Sequence, residues 1–252
     1  MRFSNKVVLI TGAGSGMGRA TALAFAKEGA KVIVNDLVSK RGEETLAMIK
    51  QQGAEGIFLQ SNVTQATEVE TMVNEALEAY GRIDILINNA GVIVPGAVDT
   101  LTEADFDKAF NVNVKGVFLV SKYVIPAMKR AGSGVVVNMG SVAAFKGYAD
   151  RSVYCASKGA IVSLTKAMAM DYIKENIRVN CVCPGTIYTP ALEERIQDSD
   201  DPETTKKALI ARQPLGRLGT DEEIAHAILY AASPEAAYMI GSALIIDGGA
   251  TL

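Results

Sequence analysis

"TGAGSGMG", Thr11 to Gly18, follows the apolar run "KVVLI" and leads into the alanine-rich stretch "RATALAFA". A strand that breaks into a glycine-rich turn and continues as a helix is the entrance to a dinucleotide-binding α/β unit. Gly12, Gly16 and Gly18 then have separate tasks: a tight turn, a close backbone approach to a pyrophosphate, and a helix seated against the sheet. The helix N-terminus adds free N–H groups that attract negative charge. Asp36 ends the next apolar run, 18 residues beyond Gly18, where a carboxylate accepts hydrogen bonds from the ribose hydroxyls of an adenosine. That carboxylate repels a ribose phosphate, and neither Ser15 nor Leu37 is basic. NAD is therefore favoured over NADP, with Lys40 and Arg41 near enough to keep NADP as the less favoured alternative.

Outward from this turn the same alternation continues to the end of the chain. Short apolar runs at Lys6–Thr11, Lys31–Asn35, Gly56–Gln60, Ile83–Asn89, Gly134–Met139 and Ile177–Cys183 read as strands, and "ALIID" from Ala243 as another. Longer amphipathic segments separate them: between Ala66 and Tyr80, for example, Val69, Met72, Val73, Ala76 and Leu77 recur at helical spacing. Nearly continuous Val, Ile and Leu means strands buried on both faces, hence parallel strands covered by helices. The expected fold is a doubly wound α/β domain, a Rossmann fold, with a mostly parallel sheet of about seven strands and helices on both faces. Thr102 and Thr220 precede acidic residues as helix N-caps, and Gly29, Gly53 and Gly81 close helices. No linker or repeat divides the chain, so residues 1–252 are expected to form one domain. Only Ala191 to Gly216, with "DSDDPE" in its middle, has a different texture; a lid over residues 190–215 is expected there.

Composition removes several kinds of partner. Of 252 residues, 49% are hydrophobic and 21% charged, the net charge is −3, and the basic residues are scattered, which leaves no electrostatic footprint for nucleic acid or an anionic membrane. No apolar run approaches the roughly 18 residues that span a bilayer, and the start lacks a signal-peptide pattern, so a cytoplasmic location is expected. Cys155, Cys181 and Cys183 have no metal-ligand grouping around them, and His226 is the single histidine. Reduced thiols, no metal and no histidine-based triad are expected.

The chemistry is concentrated in "SVYCASKGA", Ser152 to Ala160. On a helix Tyr154 and Lys158 share a face, so hydroxyl and ammonium address one spot. A free phenol titrates near pH 10, according to ordinary values, and is a poor base at neutral pH. An adjacent cation favours the phenolate, which could then take a proton from an alcohol as hydride leaves its carbon, or return it to a ketone. Ser141, just past the fifth strand, stands at the carboxyl end of the sheet, where it can hold the substrate oxygen. Cys155 is rotated about 100° from Tyr154 and reads as a packed residue. Cys181 and Cys183 alternate along a strand as core, and His226 reads as a surface or interface residue. Val92, Ile93, Val142, Ala143, Phe145, Tyr148, Ile187 and Tyr188 are expected around the pocket; being largely apolar, they favour a small or medium-sized, mostly uncharged substrate.

With these motifs in order, the chain resembles the short-chain dehydrogenase/reductase family over its whole length. The resemblance is carried by "TGAGSGMG", "NNAG" (Asn88–Gly91), "NVNVKG" (Asn111–Gly116), Ser141, "YCASK" (Tyr154–Lys158), "PGTIYT" (Pro184–Thr189) and "IDGG" (Ile246–Gly249). It implies Tyr154 as acid/base, Lys158 as the group that lowers its pKa and binds the nicotinamide ribose, and Ser141 as the ligand of the substrate oxygen. It further implies that Asn113, rather than Asn111, holds a water extending the proton relay. Ser15 and Met17 match backbone contacts to the phosphates, Asn89 a position near the adenosine, and Ile187 and Thr189 contacts to the carboxamide. Asn62, with Val63 beside it, departs from the family's aspartate at the adenine amine; an amide oxygen can still accept that bond. A homotetramer is implied, and the apolar end "MIGSALIIDGGATL" suits an interface. A secondary alcohol or ketone is the implied substrate. A 3-oxoacyl-acyl-carrier-protein reductase is the alternative within this fold, disfavoured by Asp36, and a nucleotide-sensing binding protein without chemistry is a further alternative from another class.

Overall fold

Val7 and Leu9 turn to one side of the first strand and Val8 and Ile10 to the other, and all four are buried. A strand whose two faces are both covered needs a helical layer on each side, and the computed structural model, which describes residues 1–252, has both. Seven strands form one sheet: β1 (Val7–Ile10), β2 (Lys31–Asp36), β3 (Gly56–Gln60), β4 (Ile85–Asn88), β5 (Gly134–Met139), β6 (Ile177–Pro184) and β7 (Ala243–Ile246). Their spatial order is β3-β2-β1-β4-β5-β6-β7, and every neighbouring pair is parallel. The order therefore reverses between β1 and β4, the crevice where open α/β sheets bind ligands.

On one face, Val8, Ile10, Val32 and Val34 pack with Phe25 and Ala26 of α1 (Gly16–Lys27), Ile49 of α2 (Ser39–Gln51) and Ile224 and Ile228 of α9 (Asp221–Ala232). On the other, Leu9, Ile33, Leu86 and Val136 meet Val69 and Met72 of α3 (Ala66–Tyr80), Val124 and Met128 of α5 (Gly116–Ala131) and Met168 of α6 (Ser152–Tyr172). Polar side chains inside this apolar layer are linked to one another through their amides, while Asn88 Oδ1 is left without a partner. Asn88 and Asn138, register partners on β4 and β5, are joined by a 2.8 Å bond from Asn88 Nδ2 to Asn138 Oδ1, and Asn138 Nδ2 donates in turn to Thr165 Oγ1.

Helix ends follow their sequence signals. Thr102 caps α4 (Glu103–Phe110) and Thr220 caps α9, each in a reciprocal box with an acid three residues on. Arg178 on β6 donates to the carbonyls of Ala231, Ala232, Ser233 and Ala236, closing the C-terminal end of α9. Residues 190–215 leave the sheet as α7 (Pro190–Gln197) and α8 (Pro202–Ala211), and the acidic tract ends where Asp201 accepts from Thr204 N to cap α8. Cys181 and Cys183 are buried side by side with their sulfurs 3.6 Å apart, and His226 is exposed. No helix is long and apolar enough to cross a membrane.

Candidate active site

The glycine loop is a cradle with donors to spare. Ser15, the N-cap of α1, makes no side-chain cap bond, and no acid stands in the first turn; the first N–H groups of this helix are left for an external anion. Asn89, at the end of β4, holds the loop from the other side, donating from Nδ2 to Thr11 O (2.9 Å) and Gly12 O (3.0 Å). Both amide hydrogens are thus committed to the loop, so Asn89 acts on a bound dinucleotide through the loop's shape. Asp36, at the end of β2, accepts from Gly14 N and Val38 N, both at 2.9 Å. Gly14, to which the sequence motif assigns no task, must lack a side chain because a Cβ there would lie 2.6 Å from Asp36 Oδ2. These features fit a dinucleotide: unbonded amides for its phosphates and a carboxylate with a free lone pair per oxygen for a ribose.

At the adenine end the expectation for Asn62 needs correction. Its Oδ1 already accepts from Thr64 N (3.0 Å) and Thr64 Oγ1 (2.9 Å), closing an Asx turn. With both lone pairs engaged, that oxygen is not free for an adenine amine. Val63 is buried beneath α5, where a Cβ on Gly116 would come within 2.9 Å of it.

At the other end of the crevice a cavity of about 610 Å³ collects Ser141, Tyr154 and Lys158 together with Met17, Asn89, Ile187 and Thr189. Ser141 caps a short turn of helix after β5, its Oγ accepting from Ala143 N at 3.1 Å. With one acceptor site occupied, its hydroxyl proton is left available to donate. Thr189 likewise caps α7 by accepting from Leu192 N at 3.1 Å, which leaves its own proton to donate. Lys158 is buried, sits 5.8 Å from the centre of the Tyr154 ring, and donates from Nζ to Met139 O at 2.8 Å. Asn113 lies in a π-helical turn, Asn111–Lys115, between α4 and α5. Its amide pairs with Val92 in both directions, at 2.8 and 2.9 Å, and donates to Ser157 Oγ at 3.0 Å. A water on the proton relay would thus be left the second Oδ1 lone pair and the backbone.

The electrostatics depart from the sequence expectation. In the protein alone the Tyr154 phenol is held above its ordinary value, because burial outweighs the lowering produced by a hydrogen bond from Ser141 and by Arg151 and Arg195. Sequence reasoning had counted the lysine charge and left out desolvation. Lys158 itself is pushed down by burial to about 8. The folded chain releases this proton near pH 8 and the unfolded chain near 10.5, so the penalty for burying the charge, about 3 kcal/mol at neutral pH, fades as pH rises through that window. Lys158→Met should therefore gain melting temperature relative to the parent at pH 7, and the gain should shrink or reverse at pH 10 as the parent's amine becomes neutral and keeps its bond to Met139. Calorimetry at the two pH values checks this; an equal gap at both would remove the buried charge from the account.

The cavity lining also corrects the apolar reading. Val92, Ile93, Val142, Ala143, Tyr148 and Ile187 are present, but Phe145 and Tyr188 are not, and Lys108, Arg151, Arg195 and Arg212 are. Tyr188 instead lies under Lys206, whose Nζ is 4.9 Å from the ring centre. These four cations are far apart in the chain and belong to no periodic pattern; the signal that could have found two of them was their place in the segment already read as a lid.

A family model described as enoyl-(acyl carrier protein) reductase matches residues 12–251. The chain is 48% identical over 251 residues to an uncharacterized oxidoreductase of Thermotoga maritima, with 100% of this chain and 99% of the relative covered. It is 44% identical over 252 residues to dehydrogenase/reductase SDR family member 6 of Aquarana catesbeiana, at 100% and 99% coverage. Among solved structures, that of levodione reductase is similar with a TM-score of 0.96 and 37% identity, covering 99% of both chains.

Proposed function

The chain belongs to the short-chain dehydrogenase/reductase family, and on that premise we propose that it is an NAD-dependent oxidoreductase interconverting a secondary alcohol and a ketone with Tyr154 as acid/base. The observation that carries this reading is the meeting of Ser141, Tyr154 and Lys158 in one cavity adjoining the glycine loop. Ser141, with its acceptor site engaged by Ala143 N, donates to the substrate oxygen. Tyr154 gives that oxygen a proton in reduction and takes it back in oxidation. Lys158 favours the phenolate and offers its ammonium to the nicotinamide ribose, and Asn113 extends the proton path. A bound nicotinamide supplies or accepts the hydride and, when oxidised, adds positive charge that favours the phenolate. Gly12, Ser15, Gly16, Met17 and Gly18 would hold its phosphates, Asp36 its adenosine ribose, and Ile187 and Thr189 its carboxamide.

Asp36 supports NAD over NADP, and Arg19, the arginine that follows the glycine loop, is occupied by Gly14 O, Thr45 and Glu44. We further infer a lid at residues 190–215, a cytoplasmic location and a homotetramer, the last supported by exposed apolar side chains such as Phe118 on α5 and Met170 on α6. Initial rates with NADH and NADPH on a panel of ketones and an acetoacetyl thioester test the reading. NADH should lead by at least about tenfold in kcat/KM, since like charges at Asp36 oppose the extra phosphate. An NADPH preference with the thioester as best substrate would instead favour a 3-oxoacyl-acyl-carrier-protein reductase.

A further inference from the structure

Four cations reach the cavity beside Tyr154 from four places in the fold: Lys108 on α4, Arg151 just before α6, Arg195 on α7 and Arg212 just after α8. No aspartate or glutamate lines the same space. None of the four is in an ion pair, although Arg2, Arg19, Arg82 and Arg217 elsewhere each have a carboxylate partner. Arg151 gives one N–H to the carbonyl of Asp150, and its remaining donors are free. Burial together with Arg151 and Arg212 pulls Arg195 below its ordinary pKa. Like charges gathered without a counter-charge repel one another, and the repulsion is relieved when a ligand brings the missing anion. The phosphates of a dinucleotide are not that anion, because they belong at the N-terminus of α1, whereas Arg151 and Arg195 act on the Tyr154 phenol, where the substrate reacts.

We infer that the substrate is a small hydroxy or oxo acid whose carboxylate is gripped by Arg195, with Arg151 and Arg212 beside it, while its carbinol or carbonyl carbon stands at Tyr154. The size follows from the cavity: about 610 Å³ has to take both the nicotinamide end of the cofactor and the substrate. The inference rests on the oxidoreductase reading only for the position of the reacting carbon.

The test measures NADH oxidation with pyruvate, acetoacetate and levulinate, each against its methyl ester, and with acetol phosphate. At least one acid should exceed its ester by about thirtyfold in kcat/KM, the range expected of a hydrogen bond to a charged group. Arg195→Gln should cut the acid-over-ester ratio of kcat/KM at least about tenfold, chiefly through the KM of the acid, with the Kd for NADH within about twofold; Arg212→Gln should act in the same direction. Esters turned over as well as the acids would overturn the anion subsite and leave the oxidoreductase reading standing. A clear preference for acetol phosphate would overturn the carboxylate assignment. If no compound is turned over, the oxidoreductase reading fails, and calorimetric titration of the three acids into the enzyme with NADH judges the subsite separately: heat lost in Arg195→Gln supports it, and no heat in the parent overturns it.

Discussion

Tyr154→Phe should lower kcat/KM for both alcohol oxidation and ketone reduction by about a thousandfold, the scale of a lost general acid/base, while leaving the Kd for NADH within about twofold of the parent. The change deletes one oxygen and keeps the ring, so the packing around the first turn of α6 is retained. What disappears is the group that exchanges the proton with the substrate. The pH profile gives an independent readout. Burial holds the phenol above its ordinary value in the protein alone, so parent oxidation should climb with pH as the phenolate forms, and the residual activity of the variant should be flat over that range. Steady-state rates across pH and NADH fluorescence titration are the measurements. A loss smaller than about tenfold, or a parallel loss of NADH binding, would mean that Tyr154 shapes the pocket and does not move the proton.

The second large effect concerns the loop. Gly18→Ala should weaken dinucleotide binding by about a hundredfold, in keeping with an overpacking penalty of up to about 3 kcal/mol. A Cβ at this position would stand 2.2 Å from Gly12 O and 2.5 Å from Asn89 Nδ2. Neither neighbour can give way cheaply. Gly12 O belongs to the backbone that must approach the phosphates, and Asn89 is held by its bonds to Thr11 O and Gly12 O. The methyl would have to separate α1 from the end of β1 or break the Asn89 clamp, and both open the cradle. Gly159→Ala is the contrast: nothing stands within 4 Å of the added carbon, and in the interior of α6 the change should stabilise by up to about 1 kcal/mol. NADH titration and thermal melts of the two variants decide the matter; a Gly18→Ala protein that bound NADH like the parent would show that the loop relaxes around the methyl.

Much of the architecture was legible because it rests on local signals. The period of Val69, Met72, Val73 and Ala76 places α3 at Ala66–Tyr80, and unbroken aliphatic runs place strands that the sheet then buries on both faces. Thr102 and Thr220 announce their helices by the acids that follow. The motifs likewise bring Ser141, Tyr154 and Lys158 into one cavity. What escaped depends on contacts between distant residues or on solvation. The Asn62 oxygen is claimed by Thr64, a turn that the comparison with an aspartate pattern does not reveal. Tyr154 responds first to burial and only then to charge. Arg151, Arg195 and Arg212 meet only because the fold brings the start of α6, α7 and the end of α8 to the lining of one cavity, and no local pattern in the chain marks that meeting.

The bond between Asp36 and Gly14 N has a bearing on any attempt to retrain this protein for the phosphorylated cofactor. Swapping the carboxylate for a small neutral residue, the obvious first move, removes a repulsive charge and in the same stroke orphans a main-chain amide at the tip of the turn. Selectivity and loop shape are thereby yoked to one side chain, and a successful redesign has to furnish that amide with a substitute acceptor before it adds any new positive charge.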